Sequence, residues 1–165
     1  MAITRAKKQS IIASVTDALS KSASAVLVSF TKLTVAEVNT LRAELKKDAV
    51  KYTVVKKTLL KRALDSQGID GDMPDMPGEV ALVYLQEGDD VTAPARGLAA
   101  FVKKMKGKIV YLGGVINKKY LGVAEIVGVS MIPPTPVLRG MFVNVINSPI
   151  QRFAIAMSEV AKTKA

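Results

Sequence analysis

Apolar positions along the 165-residue chain keep two rhythms, one helical and one of short unbroken runs. Ile11, Val15, Ala18 and Leu19 recur at the spacing of one helical face, which predicts a helix over residues 3–22. The run AVLVSF, 25–30, fits a strand covered on both sides. Thr34 and Glu37 stand at capping-box spacing, and Val35, Val38, Leu41 and Leu45 carry a helix to about Asp48. VKYTVV, 50–55, is β-branched and aromatic and predicts a second strand. From Lys57 a helix would place Leu59, Leu60, Ala63 and Leu64 on one arc and Lys57, Thr58, Lys61 and Arg62 on the other, with Gly68 as its C-cap. Residues 70–79, DGDMPDMPGE, read as an acidic loop, and VALVYL, 80–85, as a third strand. Thr92 and Pro94 suit an N-cap and first turn, ahead of a face of Leu98, Phe101, Val102 and Met105 closed by Gly107. KIVYLGGVI, 108–116, predicts a fourth strand bent at Gly113-Gly114, followed by a turn at 117–119 and an apolar segment at 121–131. Strands alternating with helices predict an α/β class: a compact domain with a mixed sheet, flanked by helices.

IPPTP, 132–136, interrupts this order. Adjacent prolines cannot continue a helix and disfavour helix in the residues before them, so a boundary is expected between a domain, 1–132, and a helical tail, 133–165. In the tail, Leu138, Met141, Phe142 and Val145 follow helical spacing. Ser148-Pro149 reads as a second helix start or a kink, after which Ile150, Phe153, Ala154 and Met157 repeat the spacing. A lone helix of this length is marginal in water, so its apolar residues need cover. The tail either packs back on the domain as an ordinary core helix or docks helices of another protein, and the repeat then suggests two docking units. A membrane-surface helix fits poorly, because the tail carries only Arg139, Arg152, Lys162 and Lys164 as cations.

Charge adds direction. The net charge is +10, and residues 1–66 hold 13 Lys/Arg against 5 Asp/Glu. An anionic partner for that part is expected, nucleic acid first, with a merely solvated basic surface as the plain alternative. The chain has no Cys and no His, which removes thiol chemistry, the commonest metal ligand and the commonest general acid/base. No membrane span and no secretion signal are expected from the hydropathy pattern. Glu87, Asp89 and Asp90 could attract a divalent cation, but this stretch reads better as a solvated turn, and no metal or cofactor is expected.

Lys57, Thr58, Lys61 and Arg62, joined by Lys56, could lie along a phosphate backbone, and Arg5, Lys7 and Lys8 could add a second contact if the fold brings them together. No aromatic residues interleave with these cations, so shape and backbone recognition of a structured RNA is favoured over base stacking.

The stretches SFTKLTVAEVNTLRAEL (29–45), VVKKTLLKRA (54–63), GEVALVY (78–84), the Gly113-Gly114 pair and the Pro-bounded tail resemble the bacterial stalk-base family of the large ribosomal subunit, ribosomal protein ten. Lys32 stands where that family usually has Gly, and Lys57 where it usually has Asn; both add charge beside the basic face. The resemblance implies binding to large-subunit ribosomal RNA through Lys7, Lys8, Lys56, Lys57, Thr58, Lys61 and Arg62, next to ribosomal protein eleven, with Arg5 and Lys32 as further candidates. It implies that the tail carries dimers of an acidic stalk protein, here two, which recruit translational GTPases. It also implies a cytoplasmic, ribosomal location and no catalytic residue. A ribosome-assembly factor visiting the same RNA site, and an RNA-processing enzyme with a carboxylate/lysine site, are the competing readings.

Overall fold

The capping-box spacing at Thr34 closes as a reciprocal pair. Thr34 Oγ1 accepts from the Glu37 N–H at 3.3 Å, and Glu37 Oε2 accepts from the Thr34 N–H at 2.8 Å. Two orphan donors of the first turn are thereby satisfied. The computed structural model describes residues 4–86, 90–105 and 107–164. The elements run α1 (Arg5–Lys21), β1 (Ser24–Phe30), α2 (Val35–Lys47), β2 (Val50–Val54), α3 (Lys57–Asp65), β3 (Glu79–Leu85), α4 (Ala93–Lys104), β4 (Ile109–Ile116), β5 (Lys119–Leu121), α5 (Val123–Ser130) and α6 (Thr135–Lys164). The chain divides into two compact units, Met1–Ile132 and Pro133–Ala165.

In the first unit five strands form one sheet in the order β2-β3-β1-β4-β5. The α/β class with flanking helices holds. Where a mixed sheet was expected, every pairing between these strands is antiparallel, and the one parallel pairing among the described residues is the isolated bridge Asp70–Lys119. The reason is connectivity. A helix that returns the chain to the same end of the sheet starts a parallel strand, as α2 does for β2, but β3 then inserts between β1 and β2 and runs the other way.

The central strand β1 shows both faces of the core. Val26 and Val28 pack with Leu41 and Leu45 of α2, Leu98 and Phe101 of α4 and Ile126 of α5. Ala25 and Leu27 point the other way, toward Val15 of α1 and Leu59, Leu60, Ala63 and Leu64 of α3. The period-two alternation of a strand separates the two sets. Each fully buried leucine among them contributes about 1.5–3 kcal/mol relative to leaving it exposed.

The bend expected at Gly113-Gly114 is a bulge: Gly113 pairs with Leu27 but Tyr111 with Val28, so Leu112 is the extra residue. Gly113 holds φ +149, and a Cβ there would lie 2.8 Å from the Leu121 carbonyl oxygen and 3.0 Å from Pro74 Cγ. The acidic segment 70–79 therefore presses on the sheet, and its Met76 is buried in the α1/α3 core.

Three local expectations change. Thr92 does not cap α4. Its Oγ1 donates to Asp90 Oδ1 at 2.8 Å and accepts from Arg96 Nη1 at 2.9 Å, a side-chain knot that leaves it without a bond to the helix N–H groups. α3 ends at Asp65 with Ser66 in the cap position, and Gly68, at φ +58, lies two residues beyond. In the second unit α6 runs without a break from Thr135 to Lys164 and carries Pro149 inside it, so Ser148 starts no second helix. Pro149 has no N–H to return to the Val145 carbonyl, and the helix is one bond short at that turn.

Candidate nucleic-acid interface and docking helix

Strand direction decides which ends of the helices meet. β1 is antiparallel to β3, and β3 to β2, so β1 and β2 run the same way. α1 leads into the start of β1 through a short turn, and α3 leaves the end of β2 through Val55 and Lys56. Both helices lie on the same face of the sheet and both run back against their strands. Their N-termini therefore sit at one end of the sheet, the end where β1 and β2 finish. That end gathers Lys7 and Lys8 from α1, Lys32 from the turn after β1, and Lys56, Lys57, Thr58 and Lys61 from the start of α3. All seven side chains are exposed. Arg62, the next residue after Lys61 on α3, is exposed as well. Arg5 opens α1, and its side chain lies outside the described residues.

The division of α3 into a core face and a basic face holds residue by residue. Leu59, Leu60, Ala63 and Leu64 are buried; Lys57, Thr58, Lys61 and Arg62 are exposed. Lys56 in the N-cap position makes no side-chain cap, and no acidic residue stands in the first turn. A helix N-terminus carries unsatisfied N–H groups and the positive end of the macrodipole, so lysines there are repelled by the helix that holds them. An anion resting on this turn relieves both effects. A cleft of about 490 Å³ opens there, lined by Val54, Val55, Lys56, Lys57, Thr58, Gly78, Glu79 and Val80.

Lys32 sits in left-handed backbone at φ +52. Its turn is pinned on both sides: the Thr31 N–H bonds the Lys108 carbonyl at 2.9 Å, and Lys108 Nζ donates to Glu37 Oε1 at 2.6 Å. That bond, with those from the Thr34 backbone and hydroxyl, holds the Glu37 carboxyl down at about 2. Glu37 is thus spent on structure, and none of Lys32, Lys56 and Lys57 has an ion-pair partner among the described residues, although Glu79 lines the same cleft as Lys56 and Lys57.

Of the acidic cluster Glu87, Asp89 and Asp90, only Asp90 lies among the described residues. Asp90 accepts from Thr92 and Arg96, and these bonds with the Arg96 charge outweigh its burial and keep its carboxyl below the usual range. Glu87 and Asp89 lie outside the described residues, and no group of three potential ligands forms among those described.

α6 is described by itself. Leu138, Met141, Phe142, Val145, Ile150, Phe153, Ala154 and Met157 are all exposed on it. The two quartets are not collinear: twelve residues advance an α-helix by about 18 Å and turn it by about 120°. Val143, Ile146 and Ile155, outside both quartets, are exposed as well. Polar residues gather on one side, an arc of about 140° through Asn144, Asn147, Ser148, Gln151, Arg152, Ser158, Glu159 and Lys162. A helix apolar around most of its circumference is one that is normally enclosed. No single helix of the described residues is long and apolar enough to cross a membrane.

The sequence model described as ribosomal protein L10 matches residues 3–103, α1 to α4 with their strands. The chain belongs to the ribosomal protein L10 family. Its similarity to individual members runs on through α6. It is 33% identical over 162 residues to the large ribosomal subunit protein uL10 of Staphylococcus carnosus, covering 98% of this chain and 95% of that one. It is 34% identical over 163 residues to uL10 of Staphylococcus epidermidis ATCC 12228, covering 99% and 96%. Against uL10 of Lactobacillus johnsonii the identity is 32% over 159 residues, 96% and 95% of the two chains. As an L10 protein the chain is a structural, non-enzymatic constituent of the large ribosomal subunit, and its place is the cytoplasmic ribosome.

Two exposed residues at the cationic end escaped the sequence reading. Lys103 and Lys104 close α4, whose last turn reaches this end because β4 starts there. They lie 38 and 39 residues beyond the end of α3 at Asp65, and only the strand order brings them to it.

Proposed function

We propose that the first unit grips large-subunit ribosomal RNA with its cationic end and that α6 carries dimers of the acidic stalk protein. The observation that supports the first half is the convergence of Lys7, Lys8, Lys32, Lys56, Lys57 and Lys61 on one end of a single sheet. Lysines neutralise phosphates and release counterions, which supplies most sequence-independent affinity for nucleic acid. The absence of aromatics among them makes the mode a backbone and shape contact with folded RNA.

The width of the apolar surface on α6 supports the second half. One partner helix covers one side; a dimer presents helices that can flank α6 on two. Two quartets displaced along and around the helix give two dimers separate seats. The dimers recruit translational GTPases, and ribosomal protein eleven is the neighbour on the RNA.

Mixing the full chain with a large-subunit ribosomal RNA transcript and with stalk dimers, and weighing the complexes by native mass spectrometry, tests both halves. One RNA and two dimers per chain is the expected composition. A chain that takes up RNA but no dimers would favour the assembly-factor reading; one that takes up neither would overturn the proposal.

A further inference from the structure

We infer that the RNA interface continues onto the second face of the sheet, through Lys103 and Lys104 at the end of α4. The inference rests on the RNA-binding reading above and enlarges its contact surface. α1 and α3 pack on one face, whereas α4 packs on the other with Leu98 and Phe101 buried against β1. Both lysines are exposed in the last turn of α4, and neither has an ion-pair partner among the described residues. The chain then turns through Gly107, at φ +80, into β4. Lys108, at that turn, is held by Glu37 and is not free in the same way.

The three cationic groups form a sequence across the sheet. Lys56, Lys57 and Lys61 lie on the α3 side, Lys32 follows the central strand, and Lys103 and Lys104 lie on the α4 side. Helices on opposite faces of a sheet have axes about 20 Å apart, given a helix diameter of about 10–12 Å and a layer spacing of about 10 Å. A single phosphate or a free nucleotide cannot reach both clusters. A folded RNA can, by laying separate stretches of backbone on each. Contacts that far apart act independently, so their effects on binding add. Two grips on opposite faces also fix the orientation of the domain on the RNA, which one helix face alone does not.

Lysines in a last helical turn also suit the negative end of the macrodipole. The experiment separates that role from RNA contact. The full chain, K103A/K104A, K103R/K104R and K57A/K61A are titrated with a large-subunit ribosomal RNA transcript over a range of salt, and their melting temperatures are measured. K103A/K104A is expected to lower the slope of log K against log[salt] by about 1.4–1.8, two contacts at roughly 0.7–0.9 each. K103R/K104R is expected to restore it, and combining K103A/K104A with K57A/K61A to sum the losses. An unchanged slope in K103A/K104A, with or without a lower melting temperature, overturns the inference while a loss in K57A/K61A leaves the RNA reading standing. A wild-type chain with no salt-dependent binding overturns both.

Discussion

Replacing Lys32 by Gly is expected to make the protein more stable and a poorer RNA binder. Lys32 holds φ +52, in the left-handed region. An L-residue with a Cβ pays about 1–2 kcal/mol there, and glycine does not. Glycine loses more backbone freedom on folding, about 0.4–1 kcal/mol, which offsets part of the gain. The net stabilisation is therefore about 0.8 kcal/mol at the middle of these ranges, or a rise of roughly 2–3 °C in the melting temperature of a chain of this size. The same substitution removes an exposed ammonium from the turn between β1 and α2, so the salt slope of RNA binding should fall by about 0.7–0.9. Lys32→Ala separates the two effects: it deletes the charge but keeps the strained backbone, and should bind as weakly as Lys32→Gly without gaining its stability. Thermal denaturation and salt titration of the three proteins are the assays. If Lys32→Gly melts no higher than Lys32→Ala, the turn carries no strain. If both bind RNA like the wild type, the strain is not kept for RNA.

Glu37 gives a pH signature. Its carboxyl is lowered from 4.5 to about 2, so the stability it adds is full above pH 4.5 and is lost as pH falls toward 2. The melting-temperature gap between wild type and Glu37→Gln should close across that window; a gap constant with pH contradicts the Lys108 bond as its source. Gly114→Ala should destabilise by about 1–3 kcal/mol in denaturant titration through overpacking, because its Cβ would lie 2.7 Å from the Ala25 carbonyl oxygen and 2.8 Å from Ile126 Cδ1. Phe142→Asp and Phe153→Asp should each remove one stalk dimer from the complex, read by native mass spectrometry, and leave the RNA slope unchanged. Loss of both dimers from either change would show one continuous seat.

What could be read from the sequence was what is local. The capping box at Thr34 and Glu37 and the two arcs of α3 follow from spacings of three and four residues, and both stand in the structure as expected. The sheet was legible strand by strand but not in its order, because the pairing of β2 with β3 rather than β1 depends on residues thirty positions apart. The same non-locality hid the gathering of Lys7, Lys32 and Lys57 at one end, and Lys103 and Lys104 with them. Met76 was lost in an acidic, Pro-rich segment whose composition speaks for solvent, yet Met76 itself is buried. Ser148-Pro149 left two alternatives, a second helix start or a kink. The apolar spacing continues on both sides and the helix runs through, which removes the first.

The division of labour between a cationic end and an apolar helix is tested most directly by salt. The full chain is assembled with a large-subunit ribosomal RNA transcript and stalk dimers, and the complex is sedimented at rising ionic strength. Phosphate contacts weaken steeply with salt, whereas apolar burial does not. The account predicts that RNA leaves first while the dimers stay on α6. Dimers released together with the RNA, or RNA retained at salt that strips the dimers, would contradict it.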